Sequence, residues 1–495
     1  MKDKKNSFWL ALQYVLSIIV AFSIIKINIM NFGEELFGMW LIFLSIWNLG
    51  IALDFGFGTS LVKFIADAEH NHGKKDVSVI VSNGLFFFSN LGLIIFLICF
   101  LIINLFVITN PNIVPLKFHP IAFVIYPILG INFYIQYLAV SIRSVYEGLS
   151  NFILSSKIIL FYNLLNLVVV FLAFQFQLSM VYLSIGLSLS SLIYLLISFF
   201  LLTKNHPEIT ISISLLNKST IKRILKFSIQ VQLASVFNAL IEPIVKYIIG
   251  NYYALELVTF YDIGRKVTIS VSGLFFATFK TLLPKVSTLK DKNASLIFFN
   301  TQVAEISRLG IIYSGVMFGI LLILIGVVIK IFFVSDTILL VILMLALPEA
   351  INNFGYPVYI FLLGIGKAAW LSIIQFINLL ITIFGLVIGF QLFNSPIGII
   401  GYFISVLIGN ILMLVVVSRL YSDNLKTFFI NVKINKLIML VLLIFIIVIY
   451  FNLNKNQFLM SFLSLSVISF ILFFTDLKIL SRDLFSFIKN SRNRI

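Results

Sequence analysis

Apolar residues run along this chain in stretches of about 20, separated by short polar segments. A helix of that length crosses the hydrocarbon layer of a bilayer, which is about 30 Å thick. The pattern therefore predicts an all-α, polytopic membrane protein of about 14 transmembrane helices. The predicted spans are 8–30, 36–58, 79–108, 121–146, 156–176, 180–203, 227–249, 257–283, 309–334, 338–363, 369–391, 397–420, 437–453 and 458–477.

The basic residues give this arrangement an orientation. An even number of spans places both ends of the chain on one side, and 27 of the 35 Lys and Arg residues fall there, against Lys117 and Lys455 opposite. Because Lys and Arg concentrate in cytoplasmic loops, both termini are expected to be cytoplasmic. The net charge of +16 then follows from topology, and it gives no reason to expect a nucleic-acid partner.

Two segments of the sequence resemble each other at an offset of about 220 residues. Lys26-Ile-Asn-Ile-Met-Asn31 precedes Glu35-Leu-Phe-Gly-Met-Trp40, and Lys246-Tyr-Ile-Ile-Gly-Asn251 precedes Glu256-Leu-Val-Thr-Phe-Tyr261. Chance similarity remains an alternative in so apolar a composition. The similarity predicts two six-helix bundles in parallel repeat, followed by two helices and a basic tail; the expected bounds are 1–220, 221–425 and 426–495.

Six cations fall inside predicted spans, where each costs about 2.5–3.5 kcal/mol on insertion scales unless it faces a partner or a water-filled cavity. Two of them, Lys280 and Lys330, lie near span ends and can reach the interface, an alternative that also holds for Lys26. The other four are predicted to bind the diphosphate or another anionic group of a substrate: Lys26, Lys246, Arg265 and Lys266.

Acidic residues in or near the spans are candidates for ion coupling or gating: Glu242, Asp262, Glu349 and Asp54. A plainer interpretation exists for two of them. Glu242 and Asp262 each lie four residues before a lysine, so each pair can neutralise within its own helix. Glu349 has no basic residue within one helical turn, which favours a cavity, whereas Asp54 approaches the cytoplasmic interface and is expected to be solvated there.

The sequence offers no catalytic constellation. No Ser/His/Asp set, paired-carboxylate site, cofactor motif or metal-ligand cluster stands out, so a non-enzymatic protein without a cofactor or metal is expected. A membrane-embedded glycan polymerase or ligase would need a sizeable external loop, and the predicted external loops are short.

One region resembles a known family. The segment from Gly33-Glu-Glu-Leu-Phe-Gly-Met-Trp40 through Leu53-Asp-Phe-Gly-Phe-Gly-Thr-Ser-Leu-Val-Lys63 resembles the second-helix signature of polysaccharide or O-antigen flippases. These belong to the multidrug/oligosaccharidyl-lipid/polysaccharide exporter superfamily. Glu147-Gly148 with Asn151-Phe152 resembles that family's turn after helix four more loosely.

This resemblance implies a function. Such flippases move oligosaccharide linked to undecaprenyl diphosphate from the cytoplasmic to the periplasmic leaflet of the bacterial inner membrane, by alternating access without ATP. It implies a lipid-linked oligosaccharide of O-antigen, lipopolysaccharide or another surface polysaccharide as substrate, membrane lipids as surroundings, and a polymerase or chain-length regulator as a further partner. The alternative within the superfamily is a cation-coupled drug or small-molecule exporter, in which acidic cavity residues would matter more than basic ones.

Overall fold

The protein is helical throughout the part of the chain that the structure covers. This computed structural model describes residues 2–52, 74–149, 151–279, 291–316, 336–421 and 425–432, with single positions between 58 and 69 and at 286. Helices connected by short turns fill these ranges, which contain no strand. The predicted all-α, polytopic fold is confirmed.

Twelve α-helices, numbered here in chain order, make up most of the described ranges. They are α1 Lys2–Ala52, α2 Lys74–Ile102, α3 His119–Gly148, α4 Phe152–Gln175, α5 Met180–Asn205, α6 Lys218–Tyr252, α7 Leu255–Phe279, α8 Lys292–Phe298, α9 Asp336–Gly364, α10 Ala368–Phe393, α11 Ile400–Tyr421 and α12 Lys426–Val432. Two π-helical turns, Ile103–Ile108 and Phe299–Val303, continue α2 and α8.

Gly33 separates the first two predicted spans. Helix α1 runs through both of them, but Gly33 leaves the helical region with φ 77° and ψ 168°. A side chain with a Cβ rarely adopts that backbone conformation, and glycine does so freely. The break therefore lies between the predicted ends at 30 and 36.

Eight helical segments of the described chain are long and apolar enough to cross a membrane. They include the region around Gly33, α2 to α5 and α9 to α11. Helices α6 and α7 match the predicted spans in position but are not among the eight, and they carry the cluster of intramembrane charges. Spans 437–453 and 458–477, and most of 309–334, lie outside the described residues.

By its internal contacts the chain divides after Thr259 into two compact units. In the N-terminal unit, Trp47 of α1 stacks between Phe96 of α2 and Phe133 of α3, with ring centroids 5.4 and 5.6 Å away. In the C-terminal unit, Phe275, Ile306 and Ile360 form a buried cluster. The boundary lies inside α7, so α6 packs with the N-terminal unit; the repeat boundary at 220 stays a prediction.

The first similar segment lies against the part of the second that belongs to the N-terminal unit. The hydroxyl of Thr259 donates a hydrogen bond to the carbonyl oxygen of Glu34 at 2.8 Å. A Cβ added to Gly38 would overlap the carbonyl oxygen and carbon of Leu255. The backbones of α1 and α7 therefore approach as closely as small residues allow in a membrane protein.

We expect Gly38→Ala to destabilise the protein, because the added methyl group meets backbone that cannot rotate away. The loss should be about 1–3 kcal/mol, as for other overpacked sites. Thermal unfolding of the purified protein at a fixed scan rate measures it. Gly186→Ala is the control, since a Cβ there meets only the side chain of Val169; equal losses in the two variants would contradict the interpretation.

Candidate functional site

The candidate site residues concentrate on α6 and α7, the two long helices that are not among the eight candidate membrane spans. A charged side chain in such a helix needs a partner, a polar cavity or a route to the interface. In the structure, three ion pairs join the candidate residues of these helices and of α9. Each pair has a different pattern of exposure, and that pattern decides what the pair can do.

The first pair lies within α6. Lys246 Nζ is 3.0 Å from Glu242 Oε1, one helical turn away. The lysine side chain is 4% exposed, whereas the glutamate side chain is 41% exposed. The predicted helix-local pairing is confirmed, with the cation as the buried member. Pro243 lies inside the same turn, and α6 continues through it.

The second pair, within α7, has the opposite arrangement. Lys266 Nζ is 2.6 Å from Asp262 Oδ2, with side chains 42% and 4% exposed respectively. This helix-local pairing is confirmed as well. Here the anion is buried and the cation is accessible, so Lys266 can contact an external anion while Asp262 holds its side chain in place.

The third pair joins α7 to α9. Arg265 Nη1 donates a hydrogen bond to Glu349 Oε1, and the glutamate side chain is 3% exposed. The guanidinium also lies over the ring of Tyr402 in α11, 5.6 Å from its centroid. The expectation that Glu349 faces a cavity rested on the absence of a basic residue within one turn. Its partner instead comes from another helix, 84 residues away in sequence.

The remaining candidates are separate from these pairs or outside the structure's coverage. Lys26 lies half-buried in α1, in the N-terminal unit that also contains Lys246. Arg265 and Lys266 belong to the C-terminal unit. Asp54, Lys280 and Lys330 lie outside the described residues. The predicted anion site and the roles in ion coupling therefore stay predictions for all of these positions.

Sequence reasoning missed a second polar system, inside the N-terminal unit. Ser191 of α5 donates a 2.5 Å hydrogen bond to Asn132 Oδ1 of α3, and Tyr162 of α4 lies 3.0 Å from the Ser191 hydroxyl. Nearer the end of α3, Arg143 Nε is 2.9 Å from Glu147 Oε1. The available signal was the i, i+4 spacing of Arg143 and Glu147, which allows an ion pair within one helix.

A polar recess lies on the opposite side from the lysine-rich loops, by the predicted topology. It encloses about 340 Å³, and its walls include Glu35, Asn112, Asn251 and Glu256. Lys117 Nζ is 2.5 Å from Glu35 Oε2 at its edge. The matching glutamates of the two similar segments thus share one recess. Within the described ranges, no group of three His, Cys, Asp or Glu residues could hold a metal ion.

The fold is that of a class of membrane transporters. The chain is similar to the lipid II flippase MurJ in an inward closed conformation, with a TM-score of 0.64 and 15% identity over 97% of this chain and 99% of that chain. It is also similar to an inward-facing multidrug resistance MATE transporter, with a TM-score of 0.59 and 14% identity over 84% and 94% of the two chains. A superfamily transporter from Pyrococcus furiosus, described as having a binding pocket of reversed polarity, aligns with a TM-score of 0.56 and 15% identity over 86% and 96%.

Sequence comparison identifies the family. The polysaccharide biosynthesis protein family matches residues 4–290, more than half of the chain. The chain therefore belongs to that family, and the resemblance seen at Gly33–Lys63 is confirmed. No curated protein matches the sequence significantly.

A double-mutant cycle tests the pair between α7 and α9. Arg265→Met leaves Glu349 buried without its cation, and Glu349→Leu removes the carboxylate that pairs with the guanidinium, so each is expected to lose about 3–5 kcal/mol of stability. The double variant should lose much less, because neither charge is then stranded. Thermal unfolding at a fixed scan rate measures all four proteins, and additive losses would show that the two residues act independently.

Proposed function

We propose that this protein is a flippase for lipid-linked oligosaccharide. The observation that carries the proposal is the set of cations on α6 and α7, each of which is paired with a carboxylate. The fold that contains these helices is similar to the folds of MurJ and a MATE transporter. Membership in the polysaccharide biosynthesis protein family supports a saccharide cargo. The solved relative titled a lipid II flippase supports a lipid carrier for it.

The proposed cargo is oligosaccharide on undecaprenyl diphosphate, moved from the cytoplasmic to the periplasmic leaflet of the bacterial inner membrane. Arg265, Lys266, Lys246 and Lys26 are the proposed contacts for the diphosphate. Arginine binds phosphate through two parallel hydrogen bonds, and lysine acts as a point charge. The basic cytoplasmic loops described above supply the orientation, and a polysaccharide polymerase would take the product outside.

Exchange of partners is the proposed step that links cargo to ions. When Arg265 turns from Glu349 to a phosphate, the glutamate is left buried as an isolated anion. A buried carboxylate that has lost its cation is strongly destabilised, and a coupling cation can take the place of the lost partner. Glu349 is therefore the proposed coupling residue, with Glu242, Asp262 and Asp54 as further candidates.

Alternating access is the proposed motion. Two six-helix bundles, 1–220 and 221–425, would rock about the cargo, and 426–495 would add two helices and a basic tail. Transporter folds built from parallel repeats commonly work in this way. Pro243 lies inside α6 next to Glu242, and Pro348 and Pro357 lie inside α9, with Pro348 next to Glu349. These prolines are candidate bending points.

The Arg265 side chain offers a direct test in proteoliposomes. A fluorescent oligosaccharide on polyprenyl diphosphate is placed in one leaflet, and its appearance in the other is followed by a membrane-impermeant quencher. Arg265→Ala should slow transfer about tenfold or more, since hydrogen bonds to charged groups are worth about 1.5–3 kcal/mol. Arg265→Lys should retain part of the rate, because it keeps the charge.

Lys367→Gln is the matched control, because Lys367 is an exposed lysine that caps α10, away from the paired charges. All variants are compared at equal protein density. Normal transfer by the Ala variant would remove Arg265 from the site. Transport of cationic dyes without transfer of the lipid would favour the drug-exporter alternative.

In cells, we expect deletion of the gene to leave lipid-linked repeat units accumulating on the cytoplasmic leaflet. The reason is that the diphosphate and sugars cannot cross the hydrocarbon layer unaided. Extraction of the lipid-linked pool and labelling of intact cells measure it. Unchanged surface polysaccharide after deletion would refute the flippase function.

A further inference from the structure

The connection between α5 and α6 is an ordered segment that we call the strap, residues 206–217. It runs along the first turns of α2, more than 120 residues earlier in the sequence, and includes the 3₁₀ turn Ile213–Leu215. Side chains of α2 bind its backbone repeatedly. The bonds are Thr210 N–H to Ser78 Oγ at 3.1 Å, Ser82 Oγ–H to Thr210 O at 3.3 Å, Ser212 N–H to Ser82 Oγ at 3.2 Å, Asn83 Nδ2–H to Leu215 O at 2.9 Å, and Asn217 N–H to Asn83 Oδ1 at 2.7 Å.

The α2 side chains that hold the strap are buried. Ser78 and Ser82 are each 3% exposed, and Asn83 is fully buried. Ser78 and Ser82 are four residues apart, so they lie on one face of the helix. The strap is therefore held as part of the fold along most of its length, and the direction of its side chains is set by these bonds.

The strap exposes two large aliphatic side chains among its polar ones. Ile209 is buried at 8%, but Ile211 is 37% exposed and Ile213 is 80% exposed. A large aliphatic side chain that stays exposed to water lacks the stabilisation of about 1.5–3 kcal/mol that full burial would give. The hydrogen bonds to α2 keep these isoleucines at the surface, so a medium or partner that covers them would be favoured.

The charge around these isoleucines is positive. Lys204, Lys218 and Lys222 are exposed on the helix ends that flank the strap. The single acid of the strap, Glu208, is 3.5 Å from Lys74 of α2 and is balanced by it. The surface thus combines exposed aliphatic groups with three lysines that have no acid of the strap left to balance them.

The apolar pattern of the chain and its lysines place the strap at the expected depth of the membrane surface. Residues 74–108 form one span of 35 residues, which rises about 52 Å and exceeds the hydrocarbon core of about 30 Å by about 20 Å. Lysines at the start of α2, the end of α5 and the start of α6 mark the interface on this side. A segment that joins α5 to α6 and contacts the first turns of α2 therefore lies at the level of the headgroups.

We propose that the strap is a docking surface for anionic phospholipid on the lysine-rich face of the membrane. Ile211 and Ile213 enter the boundary between headgroups and acyl chains, and Lys204, Lys218 and Lys222 bind the lipid phosphates. Basic residues next to apolar ones are how peripheral segments bind anionic leaflets. The proposal does not depend on which cargo the protein carries.

The first test measures the depth of Ile213. The full-length protein with Cys99→Ala and Ile213→Cys carries one spin label, and it is placed in vesicles of phosphatidylethanolamine and phosphatidylglycerol or of phosphatidylcholine alone. In the anionic vesicles the label should be accessible to oxygen and shielded from a water-soluble nickel chelate. Accessibility to nickel in both vesicles would overturn the proposal, and so would shielding from both reagents, which indicates a protein partner or a second copy.

The second test measures lipid retention by native mass spectrometry of the intact protein. Phosphatidylglycerol retention should fall about fivefold for each of Lys204, Lys218 and Lys222 changed to Gln, given the usual contribution of a lysine near an anionic surface. The control changes the same charge elsewhere, at exposed Lys157, Lys292 and Lys367. Equal loss in the two triple variants, or loss in neither, would overturn the proposal; thermal unfolding confirms that both are folded.

Asn83→Ala tests the role of the clamp itself. It removes the bonds to Leu215 and Asn217 while leaving Ile213 and the three lysines in place. The Ile213 label should then lose its shielding from nickel at unchanged lipid composition. Unchanged shielding would show that α2 does not position the surface, and it would overturn that part of the proposal.

Discussion

A bilayer offers no water to buried charge, and the ion pairing within α6, within α7 and between α7 and α9 follows from that constraint. An isolated ion in hydrocarbon is so costly that each candidate cation on α6 and α7 lies beside a carboxylate. Two of these carboxylates, Glu242 and Asp262, each lie on the same helix as their own lysine. Those two pairs therefore add no constraint between helices. The Arg265–Glu349 pair does, because it joins α7 to α9 within the C-terminal unit and fixes the face that each presents.

This distinction explains how much the sequence could predict. The pairs Glu242–Lys246 and Asp262–Lys266 follow from the helical repeat alone, because residues four apart share a face. Apolar run length likewise placed α2 to α5 and α9 to α11 to within a few residues. The partner of Glu349 could not be found in this way, since hydrophobic pattern says which residues are in a span but not which spans touch. The same holds for the strap, whose serines and asparagine look ordinary until the helix beside them is known.

Close packing of backbones is the second requirement of a membrane fold, and it explains the segment that carried the family resemblance. Gly38 admits the Leu255 carbonyl, and Gly33 permits the break between the first two spans. Helices in lipid associate through close van der Waals contact rather than through the hydrophobic effect, so small residues are needed where backbones meet. Two glycines five residues apart thus meet two different physical needs, and either need would select against a larger residue.

The exposures of the two helix-local pairs differ in a way that bears on transport. In α6 the cation is buried and the anion accessible, whereas in α7 the anion is buried and the cation accessible. An accessible cation backed by a buried anion can bind a phosphate without being released from its own helix, because Asp262 still holds the lysine in place. A buried cation behind an accessible glutamate cannot do so until the glutamate turns away. On this argument Lys266 can contact an anion in the arrangement observed, whereas Lys246 is released only when the Glu242 side chain moves.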